Sequence, residues 1–534
     1  MTDVTYARLL VAEPGRWRAA AAAWRALAAW TAERSAEFGP HVSRLRAVWS
    51  GSAAQAAVAR LAALRRRLHL ARLGCWEADQ VLCEFADALG RARALLVAAL
   101  DRATRAGLAI DADGGVGGGA LVGPGASGAA VRTTVAALGT ALAVAARADA
   151  AAAGRLAELS AVTTQLTGPD PGPAGLPVPL PPCGATPGEV HRWWTGLTAA
   201  ERRWVMVAEP AAAGALDGVP ASFRDLANRL LLDDRRAELN HAVHDATGGE
   251  LRRLRGLRSG LDALADRLVD TTGPRAYLLE LDLAEDGRAI VALGDPDLAD
   301  NVLTHVPGMT ADLASVDGEL VRAARVADRA RSLAPEQSTS ALLWLDYDAP
   351  DFLDEAAGAR RAEVGAETLR RFQDGLRVAH DGDGAHRTVL GHSYGSLVVG
   401  TAAARTGLAA DSVVFVGSPG VGVDSVTGLH SAPGQVWSTT SDSDVIQYAA
   451  VTPGGFLRDL AVAHLAPAAM VPPLFGRPED DLWHGHNPSD PEFGARVFAT
   501  RPDAGHLGYW ESGRPDLDAL ANITLGGAYQ DRVR

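Results

Sequence analysis

Residues 387–404 read RTVLGHSYGSLVVGTAAA. An apolar, β-branched run closes at Leu390, Gly391-His392-Ser393-Tyr394-Gly395 follows, and a helical pattern begins at once. The spacing predicts a strand, a sharp turn and a helix, with Ser393 at the corner. A corner of this kind projects the serine Oγ from the edge of a sheet. It also brings the flanking backbone so close that only small residues fit, which accounts for glycine at 391 and 395. The start of the helix adds N–H donors and the positive end of its dipole beside the hydroxyl.

Working outward, the chain beyond 274 alternates short apolar runs with helical stretches. The runs are 275–283, 289–293, 302–306, 341–345, 388–390, 412–416, 435–440 and 496–500, and the helical patterns between them are 311–333, 351–379 and 396–407. This alternation predicts an α/β domain over 274–534, its mostly parallel sheet covered by helices on both faces.

A serine hydroxyl is a weak nucleophile without a histidine base oriented by a carboxylate. Both partners are expected just past later strands, in the order serine, acid, histidine. After the strand GQVWSTT come Ser441-Asp442-Ser443-Asp444-Val445-Ile446. Asp444 is the preferred acid, since the apolar pair behind it would anchor the loop, and Asp442 is the alternative. Of the downstream histidines, His464 sits in a helical stretch, and His484 and His486 form an H-x-H beside Trp483. No third ligand at metal spacing accompanies that pair, so a surface loop and no metal are expected. His506 follows the strand ARVFAT by the short loop RPDAG, and Gly505, Leu507, Tyr509 and Trp510 would wall it in. It is the expected base.

The nucleophile also needs donors for a developing oxyanion. The Tyr394 N–H, directly after the serine, is one. The loop Val306-Pro307-Gly308-Met309-Thr310 should supply the other, from Met309 or, failing that, Gly308, whose backbone can approach closely. Tyr347 and His392, with Gly308, are placed at the substrate pocket. Residues 447–487 form an insertion too long for a plain loop, rich in apolar residues such as Phe456, Leu460 and Phe475, and read as a lid favouring an apolar acyl chain.

The N-terminal part is different in kind. Residues 1–46 and 52–106 read as long helices on either side of Trp49-Ser50-Gly51, with Trp17, Trp24, Leu27 and Trp30 along one face. Gly-rich 114–128 interrupts, a third helix runs over 129–165, and the region 1–167 ends in a Pro-rich linker, 168–187. Residues 188–273 are again helical and are expected to pack on the sheet domain.

The order of strand, oxyanion loop, helix and serine turn over 275–520 resembles the α/β-hydrolase fold. More narrowly, Trp193-Trp194, GVPASFRDLANR, HVPGM, WLDYDAP, GHSYGS and GHLGYW are similar to an actinobacterial α/β-hydrolase family of unassigned substrate, in which Asp346 stands where glycine is expected. The N-terminal W-x-G between long helices resembles the helical hairpins handled by type VII secretion. These resemblances imply a serine hydrolase cleaving a small-molecule or lipid carboxylic ester through an acyl-enzyme, with no cofactor. Two rival readings stand beside it: a secretion-linked interaction protein that binds a helical partner on a non-catalytic scaffold, and a peptidase or amidase on the same residues.

Composition bounds the rest. The 534 residues carry a net charge of −13, and lysine is absent, so all 51 basic residues are arginine. Residues 1–165 are net +6 and the remainder net −19. A globally acidic chain with no dense arginine patch is a poor nucleic-acid binder, and the triple Arg65-Arg66-Arg67 is read as a solvated helix face. Cys75 and Cys83 lie about 12 Å apart along one helix, too far for a disulfide. The N-terminus is read as carrying no Sec-type signal, and the charges that interrupt the apolar runs lead to the expectation of no membrane span. A cytoplasmic protein, or one exported without a Sec signal, is expected.

Overall fold

The computed structural model describes residues 4–118, 128–166, 178–382, 384–432, 434–448 and 480–527. His464 and most of the proposed lid, residues 449–479, lie outside them, as do parts of the Gly-rich and Pro-rich segments. The chain divides into two compact units, one of residues 1–178 with 271–275 and one of 179–270 with 276–534.

The first unit is helical. A short α1 (Tyr6–Leu10) leads into α2 (Pro14–Val48), α3 (Ser52–Arg105), a small hairpin of β1 (Leu108–Ile110) and β2 (Val116–Gly118), and α4 (Gly128–Leu166). Contacts Arg18–Asp87, Arg25–Asp79 and Ser35–His69 climb one helix while descending the other, so α2 and α3 are antiparallel. Trp49-Ser50-Gly51 is the turn between them, and Gly51 takes φ +101°, which a side chain would resist. Trp17, Trp24, Leu27 and Trp30 are all more than two-fifths exposed, although the Trp17 ring still sets its edge against Phe85 of α3. The stretch Gly128–Ala161 is long and apolar enough to cross a membrane by length and composition alone, contrary to the expectation from charge spacing. Arg132 and Arg147 leave fourteen uncharged residues between them, and the charges that follow are too few to lower its hydropathy.

In the second unit five helices come first: α5 (Pro187–Gly196), α6 (Ala199–Ala208), α7 (Pro210–Ala215), α8 (Ala221–Asp245) and α9 (Gly248–Val269). Reciprocal capping boxes, Thr186 with Glu189 and Thr198 with Glu201, start α5 and α6. The sheet follows, formed by β3 (Ala276–Asp282), β4 (Arg288–Leu293), β5 (Asn301–Val306), β6 (Thr339–Leu345), β7 (His386–His392), β8 (Ser412–Val416), β9 (Val436–Thr439) and β12 (Arg496–Val497), with the hairpin β10 (Asp481–Leu482) and β11 (Gly485–His486) apart from it. The strand order is β12-β9-β8-β7-β5-β6-β4-β3, parallel throughout except that β4 runs against both of its neighbours. This is the α/β architecture expected. The last strand is shorter than its sequence run, two residues against five.

Alternation of side chains divides the core in two. On β8, Val413 and Phe415 enter one cluster and Val414 and Val416 the other. On β5, Val302 and Val306 part from Leu303 in the same way. The helices α10 (Val316–Leu333) and α14 (Pro515–Thr524) cover one face, while, after the short α11 (Leu353–Ala356), α12 (Arg360–Ala379) and α13 (Tyr394–Arg405) pack together on the other.

The segment GVPASFRDLANR has a role its sequence did not reveal. Four polar side chains of α8 turn onto the open edge of β3. Asp225 accepts from the Leu278 N–H, and Asn228, Arg229 and Arg224 donate to the carbonyls of Leu278, Ala276 and Leu279. An unpaired strand edge is thereby closed off from other chains.

At the carboxyl ends of β3 and β6 a cavity of about 530 Å³ is lined by Leu231, Leu239, Glu280, Asp282 and Asp346 among others, and Ser393 is not part of its wall. Burial, then repulsion from Asp217, push the Asp346 carboxyl up to about 7, against the pull of Arg288 and Arg224. The folded protein therefore holds a proton on Asp346 that the unfolded chain, near 3.8, has released. Stability falls as pH rises through that window. Asp346→Asn should raise the melting temperature at pH 8 and change it little at pH 4, as read by calorimetry at the two pH values.

Candidate active site

The serine turn is strained as its glycines foretold. Ser393 adopts φ +54° and ψ −129°, a region an L-residue rarely visits, and its N–H is tied to the Val416 carbonyl at 3.0 Å. A Cβ on Gly395 would lie 2.2 Å from the Val306 carbonyl oxygen, and one on Gly391 would lie 2.7 Å from the Gly395 oxygen. Ser393 thus stands at the carboxyl end of β7, directly before α13.

The loop 306–310, expected from the sequence to supply an oxyanion donor, meets it from β5. A Cβ built on Gly308 would be 2.6 Å from Ser393 Cβ and 3.0 Å from its Oγ, so the bare backbone of Gly308 is what lies against the serine. Met309 is partly buried against the core, and Thr310 holds a positive φ of 64°, its N–H bonded to the Pro350 carbonyl at 2.8 Å. Tyr347 and His392, read from the sequence as facing substrate, are both buried with a polar atom committed to backbone. The Tyr347 hydroxyl donates to the Pro307 carbonyl at 2.7 Å, and His392 Nε2 lies 3.0 Å from the His506 carbonyl. Both brace the loops around the serine. The Tyr394 side chain points away as well, donating to the Gly358 carbonyl at 2.6 Å, which leaves its backbone N–H at the start of α13.

Asp444 and His506, 62 residues apart in sequence, are brought together. His506 Nδ1 lies 2.9 Å from each oxygen of Asp444, a carboxylate with no exposed surface. Asp442, two residues earlier, is exposed, so the structure selects Asp444 as the partner of the ring. The Ser443 hydroxyl accepts from the Gly505 N–H at 2.9 Å, binding the acid loop to the histidine loop. Among the described residues no hydrogen bond yet joins Ser393 Oγ to the ring; in unliganded sites such bonds commonly tighten only when substrate arrives. With Nδ1 held by the acid, Nε2 is the nitrogen free for that bond.

Two contributors escaped the sequence reading. Gly417 (φ +54°) ends β8, and a Cβ there would sit 2.7 Å from Asp444 Oδ2 and 3.3 Å from the His506 ring. Tyr509, read only as an apolar wall, donates its hydroxyl proton to Asp444 Oδ2 at 2.6 Å. A glycine just past a strand is a usable signal for the first, and nothing in the sequence singles out the second. The H-x-H pair does not converge: His484, expected on a surface loop, is buried with Nε2 on the Ala356 carbonyl, while His486 lies near Asp481 and Asp490. The short hairpin β10–β11 packs His484 inward.

The profile of a family described as alpha/beta hydrolase matches residues 282–453, from the end of β3 through the loop 306–310 and the serine turn to just past Asp444. An uncharacterized protein of Mycobacterium bovis is 33% identical over 191 residues, which cover 33% of this chain and 71% of that protein. The chain belongs to the α/β-hydrolase family. An uncharacterized protein of Mycobacterium tuberculosis is also 33% identical, over 300 residues covering 51% of this chain and 45% of that one, so the chain spans a little under half of the longer relative. No solved structure matches.

Within this α/β-hydrolase site the electrostatics follow from the neighbours. Burial alone would lower the His506 pKa, but the charge and hydrogen bond of Asp444 outweigh burial and the nearby Arg322 and leave it raised above 6.5. His392 behaves oppositely: burial, His506, Arg322 and His305 hold it well below 6.5, so it stays neutral. A base must be neutral to accept a proton. The acid limb of any kcat/KM profile that depends on His506 should therefore fall above pH 6.5, with no second limb from His392, as a pH titration of initial rates would reveal.

Proposed function

We propose that the protein is a serine hydrolase acting on carboxylic esters. The observation that carries this reading is the His506 imidazole, held at 2.9 Å by the buried Asp444 and 4.8 Å from the ring of His392, the residue just before a serine at a strained strand–helix corner. In this scheme His506 Nε2 takes the Ser393 proton as Oγ attacks the ester carbonyl. Asp444 fixes the tautomer and stabilises the imidazolium. The Tyr394 and Met309 N–H groups receive the oxyanion. His506 then returns its proton to the departing alcohol, and water, activated by the same ring, releases the acid from Ser393. No cofactor enters these steps. Ester is preferred to amide by analogy with the fold.

The test is labelling of the intact protein with a fluorophosphonate, followed by peptide mapping. A label on the peptide bearing Ser393 supports the reading, and a folded protein that takes no label sinks it. Rates on a p-nitrophenyl ester series against matched p-nitroanilides would then separate esterase from amidase.

A further inference from the structure

The motif GHLGYW places a tyrosine three residues after the proposed base, and the structure turns that tyrosine onto the acid. We propose that Tyr509 is a positioning residue of the site, whose hydroxyl fixes the Asp444 carboxylate and tempers the charge that the carboxylate presents to His506. The proposal rests on the serine hydrolase reading for its consequence in catalysis, though not for its geometry.

The hydrogen-bond pattern leaves one direction for the proton. The Tyr509 oxygen accepts the Ser441 N–H at 3.0 Å, so its single O–H is directed to Asp444 Oδ2 at 2.6 Å. Asp444 Oδ1 accepts from the Ile446 N–H at 3.0 Å, and both oxygens face His506 Nδ1. Each carboxylate oxygen thus has a second donor besides the imidazole, one from its own loop and one from the turn that carries the base. Tyr509 is fully buried, and burial together with the Asp444 charge holds its pKa well above 10, so it remains a donor throughout the working range. Its ring is fixed in turn by edge contacts with Trp510 and His392. Because His506 lies only two residues before the short 3-10 turn (Gly508–Trp510) that holds Tyr509, a displacement of the base would carry the acid's clamp with it.

A charge-assisted hydrogen bond draws electron density from the acceptor oxygen. Removing it should leave Asp444 a stronger partner for the imidazolium and a less firmly oriented one. The other groups facing this pair are Arg322 from α10, His392 from the end of β7 and Asp516 from the start of α14, and none of them replaces the lost donor.

The experiment titrates His506 by NMR on histidine-labelled protein, in wild type, in Tyr509→Phe, and with 3,5-difluorotyrosine at 509. Fluorination keeps the shape and makes the hydroxyl a stronger donor. The expected result is a His506 pKa raised by roughly half a unit in the phenylalanine variant and lowered in the fluorinated one. Ester hydrolysis should show kcat about tenfold lower for Tyr509→Phe with KM unchanged, and near wild type for the fluorinated protein. A His506 titration that ignores fluorination would overturn the proposal, as would a loss of kcat in Tyr509→Phe that merely follows its melting temperature. Since the titration needs no turnover, an inactive wild type would refute the esterase reading while the Tyr509 assignment was judged separately.

Discussion

Ser393→Ala is expected to lose fluorophosphonate labelling completely and to lower kcat for an activated ester by on the order of 10⁴-fold or more. The size follows from the step removed. Without Oγ there is no acyl-enzyme, and whatever remains is water attacking a carbonyl held by the oxyanion donors, which by themselves keep a modest rate over solution. The fold should not notice. Among the described residues the Ser393 hydroxyl makes no hydrogen bond that alanine would forfeit, and its N–H bond to Val416 is kept. Alanine has the same Cβ and therefore the same strain at φ +54°. The melting temperature should stay within about a degree of wild type. Activity surviving in the alanine variant would mean that hydrolysis does not pass through this serine.

Gly395→Ala should have the largest effect on stability. The new Cβ would stand 2.2 Å from the Val306 carbonyl oxygen and 2.6 Å from that of Pro307, both backbone atoms that no rotamer change can move aside. Either α13 withdraws from the sheet or the end of β5 shifts. Overpacking against rigid backbone costs about 3 kcal/mol, which for a unit of this size is a fall of several degrees in melting temperature. The displaced atoms lead straight into Gly308 and Met309, so kcat should fall as well. Gly318→Ala is the control. That glycine lies inside α10 with nothing within 4 Å of a built Cβ, and alanine there should stabilise by about 0.5–1 kcal/mol. Equal melting temperatures for the two variants would refute the steric account of the turn.

Much of this architecture is readable before any coordinates. Strands such as 301–306 and 412–416 are buried on both faces and declare themselves as short apolar runs, and the turn at 391–395 declares itself through glycines whose spacing is steric. These signals are local, so they survive without the fold. The tryptophans of α2 show the limit of the same reasoning: periodicity put Trp17, Trp24, Leu27 and Trp30 on one face, yet that face is left about half exposed. A helical period identifies a face but not what covers it.

What the sequence by itself determined, then, is the kind of domain, the order of its elements and the serine at the corner, because each is written in residues adjacent along the chain. Only the tertiary structure set Asp444 rather than Asp442 against the His506 ring, brought Tyr509 and Gly417 to Asp444, turned α8 onto the edge of β3 and directed Tyr347 and His392 inward. Each of these depends on which way a side chain points after segments far apart in sequence have packed. Asp444 and His506 meet across 62 residues, and a single residue's shift in the loop after β9 would have presented a different side chain to the ring.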